Sequence, residues 1–359
     1  MPLIQTPRTD LYLRAENLFA FELANLDPNN QDLLCIDDIP SSHPVSSFSK
    51  FALVDHNKLI AAFSGGKGKV VAIIDHHADE HAHTDAEVRE IVNPVGSCAS
   101  LVARYFKPAW EKSSTAVPPE VAKLLIAAVA IDTGGLKPDD KGVDIDFEAV
   151  AFLSTQVSSA ESPNKSNLFE VSSISGAAES SSLRPLAKEL SVRKKSVSHL
   201  SSRDLLRRDY KEFTYGSLLT GMATVPYGLK DWTTKDKDFW KSLNEWMDER
   251  NLKILAVLTT FTGEDKKAGH RREIVMLLRG DEVTPELEKK IWKSLEKSKD
   301  LKLETKRKIK PPKKQRARAW NQMNVKATRK IFAPLLKAII EGGSPAGIPA
   351  EEKGKNAAL

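Results

Sequence analysis

Three apolar runs in the first half of the chain each end in an aspartate. The runs are residues 51–54, 70–74 and 124–131, and the aspartates that follow them are Asp55, Asp75 and Asp132. Short apolar runs of this kind are typical of strands that are buried on both faces of a parallel sheet. The pattern therefore predicts three strands, each with a carboxylate at its carboxyl end. In open α/β sheets, ligands and catalytic metals bind at this edge.

The rest of the sequence mixes strand and helix patterns and changes composition twice. Further strands are predicted at residues 218–225, 252–258 and 272–278. Between residues 154 and 202 serine is abundant, and periodicity is weak until Leu183, which is typical of a linker that ends in a helix. We predict an α/β chain with a parallel-sheet domain at 1–157, a serine-rich linker and basic helix at 158–199, a smaller α/β domain at 200–343 and a disordered tail at 344–359.

The composition is that of a globular chain long enough for two domains. Its 359 residues are 41% hydrophobic and 28% charged, and no apolar run reaches the length that spans a bilayer. The first residues lack the charged start and long apolar core of a signal peptide. Two cysteines, Cys35 and Cys98, are too few for a disulfide framework, which favours a reducing compartment. We therefore expect a cytoplasmic protein without membrane contact.

Charge is divided unequally between the two halves of the chain. Residues 1–180 hold 14 Lys+Arg and 25 Asp+Glu, a net charge of −11, whereas residues 181–359 carry a net charge of +17. An acidic half suits cations and a basic half attracts anions, so a metal-bound polyanion is a candidate ligand. Two solvated faces of opposite charge would give the same counts, and charge alone does not choose between these interpretations.

Candidate metal ligands lie at the ends of the predicted strands. Hard divalent cations prefer carboxylate oxygens, and manganese also accepts imidazole nitrogen. Asp55, Asp75, His76, His77 and Asp132 therefore form a possible Mn²⁺ or Mg²⁺ site. Any one aspartate after a strand is more often a turn former or a helix N-cap. The adjacent histidines behind a buried strand have no common structural use, which favours the metal interpretation.

Two further features point towards anionic ligands. Gly96 and Ser97 precede an apolar helical pattern, and free backbone N–H groups at such a turn suit phosphate, although a plain N-cap is the alternative. Between Lys297 and Lys330 there are 14 Lys or Arg and only two acids. Such a basic run is found in nucleic-acid-binding segments and in solvated loops. We favour a third interpretation, a surface that collects a long polyphosphate.

Several segments resemble motifs of the DHH phosphoesterase superfamily, and the chain as a whole is most similar to the fungal exopolyphosphatases. Residues 53–57, 74–77 and 130–133 resemble three successive motifs of the catalytic domain in order and spacing. Residues 203–213 resemble the start of the C-terminal domain that accompanies it. Residues 324–334 are similar to the family's Ser-Arg-Lys segment, with Thr328 in the serine position.

This resemblance implies a fold, an activity and a set of site residues. It implies a metal-dependent phosphoanhydride hydrolase that releases terminal phosphate from inorganic polyphosphate, using two Mn²⁺ or Mg²⁺ ions. Asp55 would bridge the ions, and His76 and Asp132 would bind one of them. His77 and Asp75 would be the catalytic residues, with Asp75 supporting the two histidines. The residues expected to bind substrate are Arg272, Asn324, Arg329 and Lys330. Polyphosphate or another small phosphoanhydride is the expected partner, rather than nucleic acid or a membrane.

The sequence departs from the family in one respect. The first motif, a strand followed by a loop with an Asp-x-Asp pair, is not found, so we expect one metal to keep three protein ligands and the other little beyond Asp55. The alternatives are a truncated, catalytically impaired polyphosphate-binding protein, a manganese pyrophosphatase or prune-like phosphodiesterase of the same fold, and a single-strand nuclease. The nuclease is disfavoured by the segments at residues 203–213 and 324–334, because nucleases of this superfamily carry a different C-terminal domain.

Overall fold

The computed structural model describes residues 2–29, 33–42, 44–113, 117–136, 142–158, 183–262 and 269–342. Residues 159–182 of the predicted linker and the predicted tail at 344–359 lie outside the described residues. The chain divides into two units, Met1–Ser196 and Val197–Leu359. Among the described residues, no helix has the length and apolar character needed to cross a membrane.

The described part of the first unit contains a three-stranded parallel sheet. Its strands, in spatial order, are β1 (Lys50–Val54), β2 (Lys69–Asp75) and β3 (Val88–Ile91). Ile73 and Asp75 of β2 are fully buried, but Val54 of β1 is 50% exposed, so the burial on both faces that the apolar runs predicted is wrong for β1. The predicted strands before Asp55 and Asp75 are confirmed, and both aspartates lie at the carboxyl edge of the sheet.

Helices make up most of the remaining first unit. They are α1 (Ala15–Leu23), α2 (Ala61–Ser64), α3 (Cys98–Lys112), α4 (Pro119–Thr133), α5 (Asp144–Ser158) and α6 (Arg184–Lys195), with short 3-10 helices at Arg8–Leu13, Ile36–Asp38 and Val45–Ser47. Helix α4 packs against α1, α3, α5 and α6. Ile126 of α4, Leu153 of α5 and Leu186 of α6 are fully buried in the core that these helices share.

The predicted strand at residues 124–131 is wrong, because this run lies within helix α4. Apolarity alone does not distinguish a buried helix from a buried strand. Here alanines at 127, 128 and 130 favour a helix, Pro119 occupies its first turn, and Gly134 ends it with a left-handed φ of 65°. Asp132 therefore lies in the last turn of a helix and not behind a strand.

The second unit contains a mixed sheet. Its strands are β4 (Tyr210–Tyr215), β5 (Leu218–Val225), β6 (Ile254–Thr259), β7 (Phe261–Thr262), β8 (His270–Leu278), β9 (Leu303–Thr305) and β10 (Ala317–Gln322). Within 183–262 and 269–342 the order is β4-β5-β6-β8-β10-β9, with β7 against β8, and only the β5–β6 pairing is parallel. The three strands predicted in this half are confirmed.

Five helices accompany this sheet, and the α/β class predicted for both units is confirmed. They are α7 (Ser202–Arg208), α8 (Leu229–Lys235), α9 (Phe239–Glu249), α10 (Pro285–Lys297) and α11 (Arg329–Glu341), counted over the described part of the unit. Trp320 of β10 and Phe332 of α11 lie in the core of this unit, together with Trp292 of α10. The start of α11 is thereby fixed against the sheet next to residues 324–328.

Replacing Gly135 by alanine should destabilise the first unit. The residue has a φ of +86°, and a Cβ there would lie 2.7 Å from Arg184 Cα and 2.9 Å from Leu183 C, both backbone atoms. We expect the free energy of unfolding to fall by about 2–5 kcal/mol, the sum of left-handed strain and overpacking. Gly216→Ala is the matched control, since its φ is +58° but no atom lies within 4 Å. Thermal and urea unfolding measure both variants, and an equal loss of unfolding free energy in Gly135→Ala and Gly216→Ala would contradict the close contact at Gly135.

Candidate metal centre

Asp75 is the buried acceptor at the end of β2. Its carboxylate is fully buried and accepts hydrogen bonds from Asn57 Nδ2 at 2.6 Å, from His77 Nδ1 at 2.8 Å and from the backbone N–H of His76 at 2.8 Å. Burial raises the pKa of Asp75, but the hydrogen bonds from His77 and Asn57 outweigh it, so the pKa lies below its usual value. Asp75 thus orients the ring of His77 and the backbone of His76, and it has no exposed surface for a ligand.

Asp55 lies directly after β1 and faces solvent. Its backbone has a left-handed φ of 67°, a conformation that aspartate tolerates better than most residues, and its side chain is 63% exposed. Asp55 Oδ1 lies 3.2 Å from His76 Nε2 and 3.9 Å from His77 Nδ1. Ligand atoms of Asp55, His76 and His77 all lie within 4.8 Å of one another, which is a spacing that suits a bound cation.

The ring of His76 is held in one orientation. Its Nδ1 lies 3.0 Å from the carbonyl oxygen of Val95, and because a carbonyl only accepts, Nδ1 carries the proton. Nε2 is then the atom directed at Asp55. The contact with Asp55 raises the pKa of His76, and the bond to Val95 adds to this effect while burial opposes it. Metal-binding histidines commonly have their second nitrogen fixed in this way.

Asp132 approaches the same group from the end of α4. Its Oδ2 accepts a hydrogen bond from the hydroxyl of Ser97 at 2.7 Å. The pKa of Asp132 lies above its usual value, mainly because the surrounding protein displaces water from the carboxylate. The hydrogen bond from Ser97 lowers this pKa, and the negative charge of Asp55 raises it. Asp132 is exposed to solvent, and it lies outside the set of ligand atoms that are within 4.8 Å of one another. The structure therefore brings it near the cluster without direct contact.

The turn at Gly96 and Ser97 does not offer free N–H groups to a phosphate. Gly96 N donates to Asp146 Oδ2 at 2.9 Å, and Ser97 N donates to Asp146 Oδ1 at 3.1 Å. Ser97 is also the N-cap of α3, which was the alternative interpretation of this turn. The sequence pattern did not single out Asp146, because one aspartate at the start of a helix pattern resembles any capping residue.

The donor set of this cluster suits a hard divalent cation. It combines the carboxylate of Asp55 with imidazole, and the carboxylate of Asp132 lies nearby. Mn²⁺ accepts both kinds of ligand, whereas Mg²⁺ prefers the carboxylate oxygens. Cys98 lies nearby, but its Sγ donates to the carbonyl of Ile74 at 3.2 Å, and burial raises the pKa of this thiol to about 12. A thiolate ligand of the kind that zinc prefers is therefore absent from the described part of the cluster.

In the second unit, Arg272 is a buried cation without a described counter-charge. It lies on β8 with 8% of its surface exposed, and burial lowers its pKa. Its Nε donates to the carbonyl of Val325 at 2.7 Å, and no carboxylate among the described residues pairs with it. A buried guanidinium is costly unless an acceptor is bound, so this residue is suited to an anionic ligand.

The other predicted substrate residues have different surroundings. Arg329, the first residue of α11, donates Nη2 to Asp209 Oδ1 at 2.9 Å and is partly neutralised. Lys330 follows it and is exposed. The side chain of Asn324 bonds to backbone atoms, with Nδ2 donating to Asp300 O at 2.5 Å and Oδ1 accepting from Lys326 N at 3.2 Å. Their roles in binding substrate stay predictions.

Comparisons with known proteins bear on both units. The family model described as "DHHA2 domain" matches residues 188–339. The "putative exopolyphosphatase" of Schizosaccharomyces pombe is 29% identical over 348 residues, which cover 94% of this chain and 81% of that protein.

Two proteins named "probable manganese-dependent inorganic pyrophosphatase" match shorter parts of this chain. That of Streptococcus equi subsp. zooepidemicus is 31% identical over 31% of this chain and 37% of its own length, and that of Archaeoglobus fulgidus is 29% identical over 27% and 29%. The solved structure of the "putative family II inorganic pyrophosphatase" of Methanococcus jannaschii has a TM-score of 0.49 at 20% identity, covering 92% of this chain and 89% of that one. The matched domain at residues 188–339 and the similarity to the S. pombe protein, which spans both units, support a DHH-superfamily phosphoesterase.

Proposed function

We propose that this protein is a metal-dependent phosphoanhydride hydrolase that releases terminal phosphate from inorganic polyphosphate. The observation that carries the proposal is the cluster of Asp55 and His76, in which Val95 fixes the imidazole so that Nε2 faces the carboxylate. The similarity to the S. pombe protein, which is named an exopolyphosphatase, supports the substrate. The manganese-dependent relatives support Mn²⁺, or Mg²⁺ in its place.

Asp55, His76 and Asp132 are the residues that would hold a cation. Two carboxylates and one neutral imidazole suit Mn²⁺, and the fixed Nδ1–H of His76 leaves Nε2 available as its ligand atom. When bound, the ion supplies Lewis-acid stabilisation of phosphate oxygens and lowers the pKa of water. Asp55, whose side chain is 63% exposed, is the residue that two ions would share.

His77 and Asp75 would handle protons beside the cation. Because Asp75 accepts from His77 Nδ1, the Nε2 of His77 is left to exchange a proton with water or with a phosphate oxygen. His77 is 56% exposed, so a substrate can reach it. Asp75 is buried and does not contact substrate; it keeps the imidazole in one tautomer and orientation.

The basic second unit would bind the phosphate chain. Arg272 is the strongest candidate, since a phosphate oxygen would provide the anionic partner that it lacks among the described residues. Lys330 and Arg329 would add charge at the start of α11. The net charge of +17 over residues 181–359 favours a polyanion over a small monoanion.

A manganese-dependent pyrophosphatase is the second candidate, favoured by the matches to two proteins of that name. The deciding experiment measures phosphate release from long-chain polyphosphate, tripolyphosphate and pyrophosphate by the same protein, with Mn²⁺ and with Mg²⁺. The proposal expects phosphate to be released singly from the longer substrates and pyrophosphate to accumulate. Faster hydrolysis of pyrophosphate than of either polymer would replace the proposal by the second candidate.

The KM for long polyphosphate should rise steeply with salt. Binding a polyanion releases counterions, so log KM should increase linearly with log salt, and removing one phosphate contact should lower the slope by about one. Lys330→Ala is the test, because its exposed side chain makes no described ion pair. Lys241→Ala is the control, since Lys241 lies 3.8 Å from Glu245 on α9. A slope of zero for the wild-type protein would show that the basic residues do not bind the substrate.

A further inference from the structure

Asp146 is a buried carboxylate that the residue roles above do not use. It lies in the first turn of α5 and is fully buried. Its Oδ2 accepts from Gly96 N and from Val143 N, both at 2.9 Å. Its Oδ1 accepts from Ser97 N at 3.1 Å and from Ser100 Oγ at 2.6 Å. No cation pairs with it among the described residues, so these four donors stabilise its charge.

The turn that Asp146 holds contacts two of the candidate metal ligands. Val95, directly before Gly96, accepts from His76 Nδ1 at 3.0 Å. Ser97 donates its hydroxyl to Asp132 Oδ2 at 2.7 Å. His76 follows a strand and Asp132 ends a helix, so a displacement of this single turn would move partners of both ligands at once.

Capping of α3 does not by itself explain the carboxylate. Ser97 is already the N-cap, and its Oγ accepts from Ala99 N at 3.4 Å. Asp146 instead accepts from Gly96 and Ser97 before the helix as well as from Ser100 in its first turn, and it lies about 50 residues away from them along the chain. A fully buried carboxylate is a costly means of fixing a turn unless the exact position of that turn matters.

We propose that Asp146 is a positioning residue of the metal centre. It holds the turn at residues 95–97, so that Val95 keeps His76 in the tautomer that presents Nε2 and Ser97 keeps the Asp132 carboxylate in place. This inference rests on the proposed function, in which His76 and Asp132 bind the cation. Outer partners of this kind typically change metal affinity by about 10–100-fold.

The test is Asp146→Asn in the full-length protein. The amide has nearly the same size but replaces one acceptor oxygen by a donor, so part of the turn loses its partners. We expect calorimetric Mn²⁺ affinity to fall by about 10–100-fold. In the metal-free protein, we expect the ¹⁵N shifts of His76 to move away from the pattern of a ring protonated at Nδ1. That second readout needs neither metal nor activity.

Two further variants separate positioning from general loss of stability. Asp204→Asn removes a carboxylate that closes a capping box with Ser201 at the start of α7 in the second unit, and it should leave Mn²⁺ affinity unchanged. Ser97→Ala removes the hydroxyl on Asp132 and the N-cap of α3 but keeps the backbone bond to Asp146. It should weaken Mn²⁺ binding, lower the free energy of unfolding by about 1 kcal/mol and leave the His76 shifts unchanged. If Asp146→Asn does not fold, Asp146→Glu, which keeps the carboxylate but moves it by one methylene, takes its place with the same two readouts.

The outcomes distinguish this inference from the proposed function. Unchanged Mn²⁺ affinity and unchanged His76 shifts in folded Asp146→Asn, with a wild-type protein that binds Mn²⁺, would overturn the role of Asp146 and leave the proposed function standing. A wild-type protein that binds no Mn²⁺ would overturn the proposed function and this inference with it. Loss of affinity together with altered His76 shifts supports the positioning role.

Discussion

Replacing Asp55 by asparagine should abolish tight Mn²⁺ binding and leave the fold intact. Asp55 is 63% exposed and supplies the carboxylate oxygen that lies 3.2 Å from His76 Nε2. Asparagine tolerates the left-handed φ of 67° that the position requires, whereas alanine would add backbone strain. We expect affinity to fall by more than about 100-fold, the upper range for outer partners, since this residue would contact the ion itself.

Calorimetric titration with Mn²⁺ and thermal unfolding measure the two effects separately. Asp79→Asn is the control, because Asp79 lies shortly after β2 and pairs with Arg89 at 2.9 Å, outside the cluster. We expect unfolding of the Asp55 variant to match the wild type within about 0.5 kcal/mol, as for other exposed positions. Identical Mn²⁺ titrations for the wild type and Asp55→Asn would exclude this cluster as the metal site.

Arg272→Met should weaken catalysis strongly while changing stability little. The substitution loses one hydrogen bond, to Val325, worth about 1 kcal/mol, but it also removes a buried cation that has no described counter-charge. We expect the net change in unfolding free energy to stay within about 1 kcal/mol. If Arg272 binds the phosphate chain, kcat/KM for polyphosphate should fall by about 10²–10³-fold, as for loss of one charge-stabilising donor.

Lys306→Met serves as the control, because it should lower stability and leave catalysis unchanged. Lys306 Nζ lies 2.5 Å from Glu273 Oε1, and Glu273 is buried. Removing the lysine leaves that carboxylate without its cation, which should cost about 3 kcal/mol of stability. Steady-state kinetics at a temperature where both variants are folded, together with urea unfolding, completes the comparison. A kcat/KM of Arg272→Met equal to that of the wild type would exclude it from substrate binding.

Short contiguous sequence patterns predicted part of the candidate site. The β2 run and its Asp-His-His end identified Asp75, His76 and His77 without reference to any other segment. The β1 run identified Asp55 in the same way. The run before Asp132 predicted a ligand candidate on the wrong element, because apolar residues buried all round are common to central strands and central helices.

The missing parts of the prediction depend on contacts between distant residues. Asp146 meets Gly96 only after α5 has packed beside α3, and neither segment alone shows that a carboxylate is needed there. The basic run between residues 297 and 330 suggests more free positive charge than the structure shows. Lys306, one of its members, is neutralised by Glu273, whereas Arg272, which precedes the run, has no carboxylate partner within the part of the chain that the structure describes.

The buried thiol of Cys98 gives the metal centre an internal reporter of local opening. Its Sγ donates to the carbonyl of Ile74, the residue directly before Asp75, and the pKa of about 12 keeps almost no reactive thiolate at neutral pH. An alkylating reagent therefore modifies this cysteine only when the junction of β2 and α3 separates. The rate of modification thus measures how often the strand end that carries the histidines comes apart, in the native protein and with no probe attached.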